Sequence, residues 1–291
     1  MLALENGTYQ PRLTEGMKAL LRGIRHVSLD MDGTIYLGST LFPYTLPFLE
    51  KLGRLGIDYC FLTNNPTRSL EAYIAKLHKL GVPCSDGQMY STTAAAIDYI
   101  KAHYPAARRL FLLGTPSMIS QFEQAGFISC ADDPSDRPDV LVAAFDTTLT
   151  YSRLCRCSWW ASHRDIPYIA TNPDWVCPTD EPTILVDCGS LCACIAAATG
   201  RKPDFVIGKP NPGILQGILE KNGIAPEHAA MVGDRLYTDV KTALNAGACG
   251  VLVLSGETTL ETALASAPQD RATLICESIE EFGCLLEASR Q

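Results

Sequence analysis

Two carboxylates one residue apart, Asp30 and Asp32 in Asp30-Met31-Asp32-Gly33-Thr34, follow the apolar run His26-Val27-Ser28-Leu29. Such a run reads as a buried strand, so the pair stands at a strand's exit. On an extended segment the two acids would point to opposite faces, and the Gly-Thr that follows turns the chain and presents them separately. One can then act as a nucleophile while the other handles protons. A carboxylate is ionised at neutral pH, needs no helper base to attack phosphorus, and makes an acyl phosphate that water can break. Aspartate before a turn also has plain structural uses, so this motif alone leaves both readings open. Competing local motifs fail. A helix-loop-helix calcium loop needs glycine at its sixth place and a closing glutamate, whereas Gly33 comes fourth and Tyr36 follows. No G-x-x-x-x-G-K-[ST], G-x-S-x-G or H-E-x-x-H occurs, and no G-x-G-x-x-G follows a strand.

Three further strand-like runs end in residue types that a phosphate site needs. Tyr59-Cys60-Phe61-Leu62 delivers Thr63-Asn64-Asn65-Pro66, and Thr67 opens a helical pattern through Leu70, Tyr73, Ile74, Leu77 and Leu80 to Gly81. A hydroxyl and N–H groups at a helix start cradle phosphate, although an ordinary capped helix has the same look. Asp204-Phe205-Val206-Ile207 delivers Lys209 in Gly208-Lys209-Pro210, and Ala229-Ala230-Met231-Val232 delivers Gly233-Asp234 with Asp239 beyond. Singly these are a surface lysine and helix-capping acids. Together they place four reactive ends where open α/β sheets bind ligands, at the carboxyl ends of strands.

A phosphate dianion near Asp30, Asp32 and Asp234 meets repulsion of about 4 kcal/mol per close pair at an effective dielectric of about 20, more than Lys209 alone offsets. Asp30, Asp234 and the backbone carbonyl of Asp32 offer only oxygen, which suits a hard, water-retaining cation that bridges to phosphate, the habit of magnesium. Activity is therefore expected to require a divalent metal.

With these residues in view, the chain resembles the haloacid dehalogenase superfamily phosphatases. Its first motif is Asp30 to Thr34, its second Thr63-Asn64, its third Lys209 in Gly208-Lys209-Pro210-Asn211-Pro212, and its fourth Gly233-Asp234 through Thr238-Asp239. The wide gap between the second and third motifs, with Leu113-Gly114-Thr115, Thr171-Asn172-Pro173-Asp174 and Ala198-Thr199-Gly200-Arg201, is similar to the NagD-like class IIA branch of 4-nitrophenyl phosphate, phosphoglycolate, sugar phosphate and pyridoxal phosphate phosphatases. The resemblance runs from His26 onward. It implies that Asp30 carries the phosphoryl group, that Asp32 protonates the leaving oxygen and later activates water, and that Asp30, the Asp32 carbonyl and Asp234 hold Mg2+. Thr63, Asn64, Asn65 and Lys209 then bind phosphoryl oxygens, and Asp239 supports the metal site from behind. For Asp32 to give a proton near neutral pH, burial and nearby carboxylates should raise its pKa. A phosphotransferase using an alcohol acceptor, or a catalytically silent phosphometabolite-binding protein, remains an alternative.

The elements that must position these residues follow a β-α-β-α order, which favours a parallel sheet. The expected fold is α/β: a Rossmann-like parallel-sheet core, 26–88 and 203–291, split by an inserted α/β cap, 89–202, between the second and third motifs. Strand Phe205–Gly208 is expected to open the second half of the core. A cap excludes water and selects the leaving group, and Asn172, Asp174 and Trp175 are nominated to face the substrate. Trp175 packed inside the cap and Asp174 capping a turn are equally open. Phe145-Asp146-Thr147-Thr148 departs from the acid-and-base pair that relatives carry before Thr-Tyr, which bears on the substrate and leaves the chemistry alone. The N-terminal extension, 1–25, has helical character through Leu13, Met17, Leu20 and Leu21, and either packs on the core or assists oligomer contacts.

At 291 residues and 47% hydrophobic content, the chain can bury a substantial core across about two domains. A formal charge of −8 without basic clusters argues against nucleic acid as a partner. No apolar run reaches the about 18 residues of a membrane span and no signal core precedes Arg25, so a cytoplasmic protein without a membrane partner is expected. The expected partner is a small phosphorylated metabolite, and a homodimer is plausible by resemblance. Twelve cysteines occur without any C-x-x-C pair; Cys155-Arg156-Cys157 and Cys188, Cys192 and Cys194 lie in helix-like stretches, so free, largely buried thiols are expected.

Overall fold

The structure, a computed structural model, describes residues 1–177 and 182–291. The chain divides into two compact units, one of Met1–Leu62, Lys76–Met89 and Lys209–Gln291, the other of Thr63–Ala75 and Tyr90–Gly208. The segment from Thr63 and the residues just before Lys209 therefore fall with the second unit, and the N-terminal extension with the first.

The first unit is built on an eight-stranded sheet in the order Thr8–Gln10, Leu2–Glu5, Leu274–Cys276, Cys249–Val253, Ala229–Gly233, His26–Leu29, Asp58–Thr63, Met89–Ser91. The strands from Leu274–Cys276 through Asp58–Thr63 run parallel, in registers such as Met231 opposite Ser28 and Ser28 opposite Cys60. Val27, Leu29, Phe61, Met231, Val232 and Val251 are buried, which is why these runs are continuously apolar rather than alternating: helices cover both faces of a parallel sheet. Phe48 of the helix Thr45–Arg54 meets Phe282 of the helix Ile279–Ala288, and Gly283 leaves no room for a Cβ there, 2.9 Å from the Phe48 ring.

The extension is not helical throughout. Leu2–Glu5 and Thr8–Gln10 form a hairpin whose turn residues, Asn6 and Gly7, both have positive φ, +49° and +77°. Asn-Gly is the residue pair that a two-residue hairpin turn favours. The hairpin pairs antiparallel onto Leu274–Cys276. The helix Glu15–Gly23 follows, capped by Thr14, and the Arg290 guanidinium donates to the carbonyls of Leu21 and Ile24 at its end. The segment thus packs on the first unit.

The second unit holds a fully parallel sheet in the order Phe205–Val206, Tyr168–Ala170, Val140–Ala143, Arg109–Leu113, Ile128–Ser129. Its residues alternate between two cores. Phe111, Leu113, Leu141 and Tyr168 pack with Cys157, Trp160 and Ile195 on one face; Leu110, Leu112, Val140 and Ile169 pack with Ile100, Met118 and Phe122 on the other. Phe205–Val206 pairs with Tyr168–Ala170, so the strand assigned from sequence to the second half of the core belongs to this sheet. A two-residue strand carries too little pattern to name its sheet.

Arg201 is buried here and donates to the carbonyls of Ala161, His163 and Ile166 and to the Asp204 carboxylate. Arg201→Met leaves those acceptors without their donor and should cost about 3 kcal/mol or more. The three tryptophans, Trp159, Trp160 and Trp175, all lie in this unit, so tryptophan fluorescence during urea unfolding reads the loss directly. An unchanged midpoint would contradict the role.

Among the described residues no helix is long and apolar enough to cross a membrane. Among the described residues, which include all twelve cysteines, no disulfide forms; Cys155, Cys194 and Cys284 are exposed, Cys177 is half-buried and the others are buried.

Candidate active site

The strand His26–Leu29 ends in Asp30, whose N–H continues the sheet by donating to the Val232 carbonyl at 2.9 Å. That bond aims the Asp30 side chain beyond the strand end. Its Oδ1 accepts from Lys209 Nζ at 2.5 Å, and the same ammonium donates to Asp239 Oδ1 at 2.6 Å and to the Leu62 carbonyl at 3.5 Å. Lys209 and Asp239 are almost fully buried, while Asp30 keeps 16% of its side chain exposed.

Asp32 follows on a turn in which Gly33, at φ +83°, donates its N–H to the Tyr36 carbonyl. The turn leads into a small hairpin, Tyr36–Leu37 with Thr40–Leu41, and the Gly38 N–H approaches Asp32 Oδ1 at 3.4 Å. Asp32 is exposed. The burial expected at Asp32 falls on Asp30 instead.

On the neighbouring strand Ala229–Gly233, Asp234 is buried, and its Oδ2 accepts the Glu257 N–H at 2.7 Å. Its Oδ1 is buried without a hydrogen-bond partner among the described residues. Beyond it, Leu236–Val240 makes a π-turn, closed by the Val240 N–H to the Arg235 carbonyl, which brings Asp239 back so that its Oδ2 receives the Arg235 N–H at 3.1 Å. Such single π-turns recur at functional sites because the added residue redirects a side chain. Two glycines let the acids fit: a Cβ on Gly233 would lie 2.2 Å from the Asp239 carboxyl carbon, and one on Gly256 would lie 2.1 Å from Asp234 Oδ2. Gly256→Ala should displace the Asp234 carboxylate, lower divalent-metal affinity at least about tenfold and cost about 1–3 kcal/mol of stability. Calorimetric titration with Mg2+ and a thermal melt check both; wild-type values in each would exclude the contact.

The electrostatics follow from three carboxylates gathered around one ammonium. Burial pushes Asp30 up to about 8, with Lys209 pulling it down and Asp239 and Asp234 adding to the rise. Burial likewise pushes Asp234 up to about 6, and Asp239 adds to it. Burial would lower Lys209, yet the carboxylates of Asp239 and Asp30 hold it above the ordinary lysine range. The cluster thus lacks positive charge. Oxygens of Asp30, Asp234 and Asp239 all lie within 4.8 Å of one another. Both Asp239 oxygens are engaged, by Lys209 and the Arg235 N–H, while Asp234 retains its unpartnered Oδ1. The donor set is hard, all oxygen and undercompensated, which fits a magnesium ion held by Asp30 and Asp234, with Asp239 supporting Lys209.

The other nominated residues lie in the second unit. Thr63 Oγ1 accepts the Asn65 N–H at 3.1 Å, and Asn65 Oδ1 accepts from the Thr67 N–H and hydroxyl, which closes the turn. The Asn64 carbonyl accepts the Thr92 hydroxyl at 2.9 Å. Asn172 and Asp174 are buried and bonded to one another, whereas Trp175 is 64% exposed. Asp146, in the departing segment, is buried, pairs with Arg153 at 2.8 Å and caps the Thr148 N–H and hydroxyl. Sequence reasoning missed Gly256 and Glu257, although they follow the apolar run Val251–Leu254 as the other site residues follow theirs. It also missed Asp187, which caps the helix Cys188–Thr199.

A family model described as haloacid dehalogenase-like hydrolase matches residues 27–128, and a second, described as HAD-hydrolase-like, matches residues 206–282. The chain is 30% identical to the acid sugar phosphatase of Staphylococcus aureus over 80% of its own length and 87% of that protein's. Among solved structures, 4-nitrophenylphosphatase from Thermotoga maritima is 39% identical at a TM-score of 0.85, covering 91% of this chain and 98% of that one. NagD from Escherichia coli K-12 is 28% identical at 0.78, covering 89% and 98%. A glycerol phosphate phosphatase from Mycobacterium tuberculosis, in complex with magnesium, is 25% identical at 0.81, covering 90% and 78%.

Proposed function

Since the chain belongs to the haloacid dehalogenase-like hydrolases and is a NagD-like phosphatase, we propose that it hydrolyses small phosphomonoesters with magnesium through a phosphoryl group carried on Asp30. The observation that carries this reading is the Asp30 carboxylate, opened to solvent on one side and held by Lys209 at 2.5 Å on the other. When bound, the ion supplies charge neutralisation for Asp30, Asp234 and the incoming phosphate.

The residues then divide the work. Lys209, anchored on Asp239, keeps Asp30 in place and offers positive charge to the phosphoryl oxygens. The free Asp30 oxygen forms a bond to phosphorus as the ester P–O bond breaks, and Asp32 gives its proton to the departing oxygen. Asp32, now a base, takes a proton from water; that water attacks phosphorus, the acyl phosphate opens, and inorganic phosphate leaves. Thr63, Asn64 and Asn65 are assigned to the phosphoryl oxygens on the order of the motifs. Residues 89–202 are assigned as a cap that chooses the leaving group, with Trp175 as its contact.

The relatives' names point first to sugar and polyol monophosphates, with 4-nitrophenyl phosphate as a chromogenic ester. Phosphate release with Mg2+ from these, phosphoglycolate, pyridoxal phosphate and nucleoside monophosphates should rank sugar and polyol esters highest among the metabolites. Trp175→Ala should change the ratios of kcat/KM across that panel, and unchanged ratios would remove Trp175 from specificity. A folded wild type silent on every ester would make this a phosphometabolite-binding protein, and transfer to added alcohols in preference to water would make it a phosphotransferase.

A further inference from the structure

The side chain of Asn64 is enclosed in a hydrogen-bonded network that the chemistry above does not use. Its Nδ2 donates to Asp174 Oδ2 at 3.0 Å across 110 residues of sequence. The same oxygen accepts from Asn172 Nδ2 at 3.2 Å, and that amide also donates to Asp187 Oδ1 at 2.9 Å. Asn172 is wholly buried, and its Oδ1 accepts from the Thr171 hydroxyl at 2.8 Å. Asp187 is itself fixed by capping the helix Cys188–Thr199 through the Cys188 N–H. On its other side Asn64 Oδ1 packs where a Cβ on Gly208 would come within 2.6 Å. The Asn64 amide is thus boxed between a carboxylate and a glycine, while its carbonyl is pinned by Thr92.

Buried carboxylates are costly unless well bonded, and a charge-assisted hydrogen bond is stronger and more directional than a neutral one. The Asn172 amide links the buried carboxylates of Asp174 and Asp187, so the Asp174 oxygen that receives Asn64 is held in place from behind. We infer that Asp174, oriented by Asn172 and Asp187, is a positioning residue for the turn Thr63–Asn65: it fixes the Asn64 side chain so that Asn64 meets a phosphoryl group through its main-chain N–H beside the Thr63 hydroxyl. The inference rests on the phosphatase reading. It reassigns Asn172 and Asp174 from the leaving group to the phosphoryl end of the substrate.

The two assignments differ in what they do to inorganic phosphate. A positioning role predicts that Asp174→Ala raises KM for every ester and the inhibition constant of inorganic phosphate by a common factor, about 10- to 100-fold for a charge-assisted bond. It also predicts that Asn64→Ala and Asp174→Ala together cost no more than the larger single effect. Asp174→Asn keeps one acceptor oxygen and should show the same pattern at a few-fold, which covers the case in which Asp174→Ala does not fold. KM changes that vary with the leaving group while phosphate inhibition stays at the wild-type value would overturn the inference, as would additive effects or no effect. Wild type run alongside separates this from failure of the phosphatase reading, which would show as no turnover before any substitution.

Discussion

Asp30→Asn should lower the rate of phosphate release by about 10⁴-fold or more, with the fold retained. Asparagine matches aspartate in shape and can still face Lys209, which keeps its bond to Asp239 at 2.6 Å, so no buried charge is orphaned. What disappears is the oxygen to which the proposal assigns the attack on phosphorus. A second signature lies in stability. In the metal-free protein, burial raises Asp30 from 3.8 to about 8. Between those values the folded chain holds a proton that the unfolded chain has lost, so stability falls as pH rises through this window. Asp30→Asn removes that contribution, and the metal-free variant should lose less stability than wild type between acid and mildly alkaline pH. Denaturant midpoints across pH test this, and parallel curves would contradict the burial assigned to Asp30.

Removing divalent metal should be the next most damaging change after Asp30→Asn. Asp30 and Asp239 share one ammonium, with Asp234 close by, and a phosphate dianion meets about 4 kcal/mol of repulsion from each close carboxylate at an effective dielectric of about 20. Excess chelator should cut turnover by about 10³-fold or more, restored by Mg2+. Metal binding must also displace protons from Asp30, pushed up to about 8, and Asp234, pushed up to about 6. Mg2+ affinity should therefore rise with pH up to about 8 and flatten above it, with proton release visible in calorimetry run in buffers of different ionisation enthalpy. Affinity independent of pH, or full activity in chelator, would contradict the carboxylate site.

The gathering of the carboxylates and the lysine was readable because each follows an apolar run. Asp30, Asp234 and Lys209 meet in the structure, and the electrostatic need for a cation was visible from residue types. Side-chain partners were less so. The Asn64–Asp174 bond joins residues 110 apart, and no local periodicity encodes such a pairing. Burial was assigned to Asp32 and belongs to Asp30, because whether a turn exposes its side chain depends on what packs over it. The two-residue strand Phe205–Val206 carried no pattern that could name its sheet, and Leu274–Cys276 went unnoticed for the same brevity. The hairpin of the extension, by contrast, is marked in the sequence by the Asn6-Gly7 pair that closes it.

The most direct test of the covalent route uses Asp32→Asn with 4-nitrophenyl phosphate and Mg2+. Nitrophenolate leaves without a proton, so the first step proceeds, while the second lacks the base that activates water. The expected result is a burst of about one nitrophenolate per enzyme, with one phosphoryl group found by mass spectrometry on the peptide that contains Asp30 after acid quenching. Wild-type turnover combined with a variant that shows neither burst nor labelled peptide, or a label on another residue, would contradict Asp30 as the nucleophile.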